Sequence, residues 1–152
     1  MTQADYLCIG LIVVGAGIGA MIGFTRGLAG FLGIYFGCTY ASRNAAEGDR
    51  YLMLAFGIFT GALILGFLFY GATRFTPIDA MDAVFGAIFG ILIGWGAAHA
   101  TLHYYVAYHN DTEFYADIYN GAFAMDIHDI RPYQEAMNRT QGLRHPDPED
   151  FK

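Results

Sequence analysis

The stretch MDAVFGAIFGILIGWG, from Met81 to Gly96, decides the fold of this chain. Glycines recur every four residues within it, at Gly86, Gly90 and Gly94, among large apolar side chains. Glycine in the interior of a helix weakens that helix in water, so the spacing needs another reason. In a lipid bilayer, glycines on one face let two helix backbones approach closely enough to pack. The stretch therefore predicts a helix that packs inside a membrane.

Composition and hydropathy extend this prediction to most of the chain. Of its 152 residues, 55% are hydrophobic and 14% are charged, and the mean hydropathy is +0.36. A helix needs about 20 apolar residues to cross about 30 Å of hydrocarbon. The chain has four runs without Asp, Glu, Lys or Arg, at about 6–24, 28–42, 51–72 and 83–106. We predict an all-α integral membrane protein in which these runs are the spans.

The first two runs are separated only by Thr25, Arg26 and Gly27. A single helix over 6–42 would be about 55 Å long, so we predict a turn near Arg26 and Gly27. The second run is short for a full crossing and is either a tilted span or a re-entrant segment. We favour a four-span bundle over residues 1–108, with a short second span and an extramembrane tail over 109–152.

Glycines at four-residue spacing mark three helix faces, which we interpret as helix-packing surfaces. They are Gly15, Gly19, Gly23 and Gly27, then Gly57 and Gly61, and finally Gly86, Gly90 and Gly94 with Ala98. The second run has a similar smooth face at Gly30, Gly33 and Gly37. A packed bundle is preferred to a conduction path because the runs contain almost no polar side chains to line one. Pro77 predicts the start of the fourth span, with Asp79 or Asp82 as its cap.

A set of motifs in this chain resembles a known family. The motifs are Asp5-Tyr6, Arg26-Gly27, Asp82, Gly86, Phe89-Gly90 and Gly94. Their order, and their spacing in the fourth span, are similar to the colicin V production protein (CvpA) family of small bacterial inner-membrane proteins. The resemblance covers about residues 5–105, with Ala83 and Ile93 where the family has arginines. It implies a four-span envelope protein linked by name to colicin export, without a biochemical activity that the motifs explain.

His99 and His103 are the ionisable side chains of the fourth run and share one helix face. Two histidines four residues apart are able to bind one metal ion. Tyr104, Tyr105 and Tyr108 follow directly, so we interpret the histidines as part of an aromatic belt at the membrane surface. Contact with a metal, a haem or a quinone is the less favoured interpretation. We predict no resident metal or other cofactor.

The remaining motifs do not indicate an enzyme. Cys8 and Cys38 lie inside apolar runs, where thiols behave as small hydrophobic groups, and we expect no disulfide between them. The sequence has no CxxC motif, no phosphate-binding loop and no nucleophile beside a base. A net charge of -6 and a pI near 5.1 disfavour nucleic acid as a partner.

The tail is polar, acidic and rich in tyrosine. Asp111 or Thr112 predicts the start of a short helix that ends at Asn120-Gly121. A second helix is predicted from Pro132 to Gly142. Aromatic and apolar side chains in the first part of the tail are typical of a surface on a membrane or on another protein. We predict that they dock onto a partner through Phe114, Tyr115, Ile118, Tyr119 and Phe123.

Two functions from different classes follow from these features. The first is a non-catalytic accessory subunit of a larger membrane complex of respiratory or photosynthetic type. The second is a stand-alone CvpA-like inner-membrane factor of the envelope, for secretion or for transport of a small solute. Because no basic segment precedes the first run, we expect a span there and not a cleaved signal peptide. The expected location is the bacterial inner membrane or the mitochondrial inner membrane, and the expected partners are lipid and other membrane subunits.

Overall fold

A computed structural model describes residues 1–69, 79–109 and 112–129 of the chain. The described part is all-α and has no strand. Four long helices are followed by a π-helical turn at Tyr105–His109 and two short tail helices. The helices are α1 (Gln3–Ile22), α2 (Phe24–Asn44), α3 (Gly48–Phe69), α4 (Asp79–Tyr104), α5 (Thr112–Tyr119) and α6 (Ala124–Asp129).

Three of the long helices have the length and apolar composition that a membrane crossing requires. They are α1, α3 and α4, the last continued to Tyr108. Their outer faces expose large apolar side chains, for example Val13 at 64% and Leu68 at 73%. In water this exposure would be unfavourable, whereas in a bilayer it places hydrocarbon against lipid. These helices are compatible with a multi-pass membrane protein.

Helix α2 differs from the predicted second span. The prediction gave a short apolar limb at 28–42, but the helix has 21 residues and is longer than α1. Its first turn contains Thr25 and Arg26, and its last turn contains Arg43. Because these polar residues are helical, the apolar run understated the length of the helix.

The turn predicted near Arg26 and Gly27 was placed too late. Gly23 alone joins α1 to α2, with a φ of +81° and a ψ of 179°. Only glycine adopts this backbone conformation at low cost. Gly27 lies within the first turn of α2, where its N–H donates to the Gly23 carbonyl at 2.9 Å. Gly23 and Gly27 continue the four-residue spacing of the other packing glycines. The sequence therefore did not show which of the two forms the turn.

Helix α4 lies in the opening between α1 and α2. We call the turn at Gly23 between α1 and α2 the corner. Gly86 contacts Gly23 there, and further along α4 Gly94 contacts Ile12 of α1. Residue numbers therefore rise along α4 as they fall along α1, so the two helices are antiparallel.

Helix α2 forms the middle of the bundle. Ala29 lies beside Gly66 of α3, and Gly37 lies beside Ala55, so α2 and α3 are antiparallel. On its other side α2 runs parallel to α4, with Ile34 against Gly96. The order in space is α1, α4, α2 and α3, and α3 is an edge helix.

Both tail helices pack on the end of the bundle that holds the start of α1 and the end of α4. A buried cluster, here called the tail cluster, joins the three regions. Its members are Ala4 and Cys8 of α1, Ala98 and Leu102 of α4, and Ile118, Ala124 and Ile127 of the tail. Helix α5 ends near Asn120-Gly121, close to where the turn residues predict, whereas α6 had no sequence signal. The second tail helix predicted from Pro132 to Gly142 lies outside the described residues.

Candidate functional site

The contact between α1 and α4 is made by backbone, because glycines face glycines. A methyl group added at Gly19 would lie 2.6 Å from the Cα of Gly90, closer than real Cβ atoms approach another atom. At Gly94 the corresponding distance to the Cα of Ile12 is 2.7 Å. Gly15 and Gly86 lie in the same contact and have no room for a side chain. We call this contact the glycine seam.

The glycines of α2 make the two other helix contacts. Gly30 would place a Cβ 2.9 Å from the Cδ1 of Ile93 on α4, and Gly33 would place one 2.6 Å from the Cβ of Ala62 on α3. At Gly27 the neighbour is the Cβ of Phe89, at 3.1 Å. Small residues therefore let α2 fit between two helices at once.

Gly57 and Gly61 do not behave like the other glycines of the predicted set. Both are exposed, and a Cβ added at either would meet nothing within 4 Å. The α3 contact with α2 is made on another face, which includes Gly66 beside Ala29. Gly66 was missed because it belongs to no glycine pair, although Ala62 and Gly66 form a pair of small residues four apart.

Part of the set that resembles the CvpA motifs, Arg26-Gly27, Asp82, Gly86 and Phe89, lies near the corner between α1 and α2. Asp5-Tyr6 lies at the opposite end of α1, and Gly94 packs against Ile12. Asp82 lies in the first turn of α4, and its Oδ1 accepts the N–H of Phe24 at 3.0 Å and so caps α2. The Phe24 ring packs against Phe85 and Phe89, with centroids 5.8 and 5.5 Å away. The guanidinium of Arg26 lies 4.1 Å from the centroid of the Phe67 ring. These contacts join the end of α1, the start of α2 and the start of α4 at one place. Pro77 and the side chain of Asp79 lie outside the described part.

Asp5 is the polar group on which the tail depends. The residue is fully buried, and its carboxylate accepts four backbone hydrogen bonds. One comes from Thr2 at 3.0 Å and completes a capping box at the start of α1. The others come from Ala122 at 3.1 Å, Phe123 at 2.9 Å and Ala124 at 3.0 Å. A carboxylate at the start of α6 also stabilises the helix dipole there.

The sequence predicts only one of the two roles of Asp5. Thr2 and Asp5 have the spacing of a capping box, which predicts a local role for the carboxylate. Nothing local indicates that the same carboxylate also binds a segment more than a hundred residues later. Gly121 lets the tail approach, because a Cβ there would lie 2.8 Å from the Oδ1 of Asp5.

The five residues predicted to dock a partner fall into two groups. Ile118 belongs to the tail cluster and is 3% exposed, and Phe114 packs against that cluster. These two side chains face the bundle and make contacts inside the protein, which differs from the predicted contact with a partner. Tyr115, Tyr119 and Phe123 are each more than half exposed. Phe114 and Ile118, four residues apart on α5, thus pack toward the interior, while Tyr115 and Tyr119 lie on a neighbouring side of the helix.

His99 and His103 lie together, with ring centroids 5.9 Å apart and nearly parallel planes. The Nδ1 of His99 is 3.3 Å from the Ile127 carbonyl, which ties α4 to α6. His103 packs on the buried Tyr51 of α3 at 5.1 Å. Among the described residues, no group of three or more His, Cys, Asp or Glu is arranged to hold a metal ion. The pair therefore connects α4 with α3 and the tail.

The tyrosines that follow α4 also make internal contacts. The Tyr108 hydroxyl donates to the Ala45 carbonyl at 3.2 Å, which fastens the end of α4 to the link between α2 and α3. Tyr105 packs on Phe114 of α5 at 4.8 Å. Cys8 lies in the tail cluster and Cys38 lies near Gly96, and both are free thiols.

In comparisons with known proteins, the chain matches no family model, no curated protein and no solved structure. The resemblance to the CvpA family stays a prediction from the motifs.

Proposed function

We propose that this chain is a non-catalytic, multi-pass membrane protein that acts as a structural or accessory subunit of a larger membrane complex. The observation that carries the proposal is the use of polar groups that are fully or partly buried. Asp5 binds tail amides, Asp82 caps α2, and His99 contacts the Ile127 carbonyl. These groups hold helices together, which is the role expected in a scaffold.

We propose further that all four long helices cross the membrane. Helix α2 is about 31 Å long at 1.5 Å per residue, which matches the hydrocarbon thickness. It lies between two apolar helices, and Arg26 and Arg43 are near its two ends. Long cationic side chains near helix ends reach the membrane surface, so two arginines do not prevent a crossing. The membrane would be a bacterial inner membrane or a mitochondrial inner membrane.

The contact with the complex is proposed to include the exposed aromatic flank of the tail, defined as Tyr115, Tyr119 and Phe123. The three hydrogen bonds from tail amides to Asp5 hold Phe123 and its neighbours in place before any partner arrives. A surface that is already ordered loses less entropy on binding. Tyrosine is also among the residues that contribute most to protein interfaces.

The test is the native mass of the chain in gently solubilised membranes of its own source. We expect the chain to migrate in a complex far heavier than its own 16.7 kDa. The variant Y115S/Y119S/F123S should release it, whereas the matched variant F36S/Y40S, which removes exposed rings from α2, should not. Migration of the wild-type chain by itself would contradict the proposal.

The second candidate is the stand-alone CvpA-like factor. The observation that favours it is that four of the motif positions, Arg26-Gly27, Asp82, Gly86 and Phe89, lie near the α1–α2 corner, where Asp82 caps α2. A chain that migrates alone but loses its cellular activity when Asp82 is replaced would support this candidate.

A further inference from the structure

We infer that the short helix α6 is a pH-sensitive cover over His99 and His103, and that it leaves the bundle when both imidazoles are charged. The inference is independent of the proposed function, because it concerns how the tail is held and not what the tail binds. It starts from the position of the two histidines between α4 and α6. The Nδ1 of His99 lies 3.3 Å from the Ile127 carbonyl oxygen, and the two imidazole rings are stacked with centroids 5.9 Å apart.

A third imidazole lies on α6 itself. His128 is the residue after Ile127, is half-buried, and interacts electrostatically with both His99 and His103. The tail thus places its own histidine beside the pair on α4. The three imidazoles are close together only while α6 is docked.

The contact with Ile127 determines how His99 is protonated in the docked state. A carbonyl oxygen only accepts, so the neutral ring carries its proton on Nδ1 and leaves Nε2 without one. A second proton on Nε2 keeps this hydrogen bond but charges a half-buried ring that is stacked on another imidazole. When His103 is charged as well, two like charges lie side by side away from bulk water, which is unfavourable.

The thiols and phenols around the pair supply no negative charge. Cys38 and Tyr51 face it from α2 and α3, and Tyr104 and Tyr108 lie at the end of α4 and in the π-helical turn. Two of these rings, Tyr51 and Tyr108, pack on His103 with centroids 5.1 and 6.2 Å away. Thiols and phenols are uncharged near pH 6. The tyrosine faces attract a single imidazolium but do not neutralise two.

The carboxylates on the neighbouring helices are directed elsewhere. On α1, Asp5 is turned toward the amides of Thr2 and of the tail, and Cys8 beside it is another thiol. On α6, the side chain of Asp126 is exposed to solvent. Within the described part of the chain, neither carboxylate is bonded to a histidine of α4, so a doubly charged pair lacks a bonded counter-ion.

Protons reach the pair from the membrane surface that α1 enters. Helices α1 and α4 are antiparallel, with Gly94 against Ile12, so His99 is level with about residue 7 of α1 and His103 with about residue 3. Helix α1 begins at Gln3. Both histidines therefore lie within about 6 Å of the start of α1 along the helix axis. The cover would respond to the pH on the side of the membrane where the tail lies.

Release of α6 relieves the charged pair. It admits water to His99 and moves His128 away from both rings of α4. An ordinary imidazole has a pKa of about 6.5, so the released state takes up protons as the pH falls from 7.5 to 5.5. Because the released state binds more protons than the docked state, docking is strongest above pH 7 and weakens as the pH falls.

The experiment measures amide hydrogen exchange of α6 in the full chain, in phosphatidylcholine nanodiscs, at pH 7.5 and pH 5.5. Protection factors are compared, because they divide out the intrinsic effect of pH on exchange. We expect the protection of the α6 amides to fall by about tenfold at pH 5.5, which one additional proton on the released state gives over one pH unit. The amides of the glycine seam should keep their protection.

Two substitutions remove the titrating rings, and a third is the matched control. In His99→Asn the side-chain amide still donates to the Ile127 carbonyl but does not titrate, and in His103→Gln the neighbouring charge is lost. Each variant should keep α6 protected at pH 7.5 and reduce the effect of acid from about tenfold to about twofold. Asp5→Asn removes a contact of the tail without changing the histidines. It should lower protection at both pH values and keep the tenfold ratio between them.

Equal protection of α6 in the wild-type chain at the two pH values would overturn the inference. So would a tenfold effect of acid that persists in His99→Asn and in His103→Gln, because acid would then act elsewhere in the tail. Circular dichroism checks the fold of each variant, and if one of the two does not fold, the other decides. The proposed function is decided separately, by the native mass of the chain in its own membrane.

Discussion

Two glycine pairs with the same spacing have opposite surroundings in this molecule. Gly15 and Gly19 of α1 touch the backbone of α4, whereas Gly57 and Gly61 of α3 face open space. Both pairs sit in long apolar helices, and both are separated by four residues. A four-residue glycine spacing therefore indicates a helix face without side chains. The arrangement of the neighbouring helices decides whether another helix packs on that face.

The reason lies in the partner helix and in the edge position of α3. Helix α4 carries glycines at the same interval as α1 and runs antiparallel to it, so smooth faces meet along the seam. Helix α3 contacts α2 through Ala55, Ala62 and Gly66, which lie on a different face from Gly57. Four predictions test this difference, in order of decreasing effect.

The substitution Gly90→Leu should have the largest effect. A side chain there would enter the backbone of α1, where a Cβ would already lie 2.9 Å from the Cα of Gly19. Backbone cannot move aside as a flexible side chain does, so we expect a loss of at least about 3 kcal/mol. Unfolding in mixed detergents, followed by circular dichroism, measures it. Gly57→Leu is the matched control, and an equal loss there would contradict the difference between the two pairs.

The second largest loss of stability is expected for a substitution at the corner. Gly23→Ala places a side chain on a residue with a φ of +81° and beside the Asp82 carboxylate. We expect a loss of about 2–3 kcal/mol from the backbone conformation and the contact together. The same unfolding measurement applies, with Gly17→Ala as control because a Cβ at Gly17 meets nothing within 4 Å. A stability equal to that of wild type would mean that the corner does not need glycine.

Loss of the hydrogen bonds between Asp5 and the tail should reduce stability less than the change at Gly23. The effect should be confined to the region around the tail. Asp5→Asn keeps the shape of the side chain but removes the charge and one acceptor, so we expect a loss of about 2 kcal/mol. Amide hydrogen exchange should quicken at Ala122, Phe123 and Ala124 while the seam glycines stay protected. Asp49→Asn, in the first turn of α3, should change neither set of amides. Faster exchange along the whole of α1 would show that the tail also holds the seam.

The smallest effect is expected at the exposed pair. Gly57→Ala adds a methyl group in open space and improves helix propensity, so the purified chain should become about 0.5–1 kcal/mol more stable. Unfolding in mixed detergents measures the change. Destabilisation would show that this face packs against something in the purified protein.

Much of the architecture was predictable because it depends on local composition. The apolar runs gave the helical class, and three of the helices have the length and composition of spans. Turn residues located the end of α5 because they act within a few positions of the chain. The start of α2 was predicted too late because Gly23 and Gly27 look alike in sequence, although only one has a positive φ.

The candidate site was less predictable because its contacts are distant in sequence. Phe114 and Ile118 were expected to face a partner, but Ile118 is buried at the end of the bundle and the half-buried Phe114 packs against the same cluster. Asp82 was one of two residues predicted to cap its own helix, and nothing in the sequence indicated that it also caps α2, whose first amide lies 58 residues away along the chain.

By itself the sequence determined that long apolar helices form, that several have smooth glycine faces and that the tail is acidic and aromatic. Hydrophobicity and side-chain size are properties of single residues, so they can be read along the chain. Only the tertiary structure decided that α4 enters the opening between α1 and α2, that Gly57 and Gly61 stay uncovered and that Asp5 binds the tail. Each of these depends on which surfaces meet, and that is settled by the packing of all helices at once.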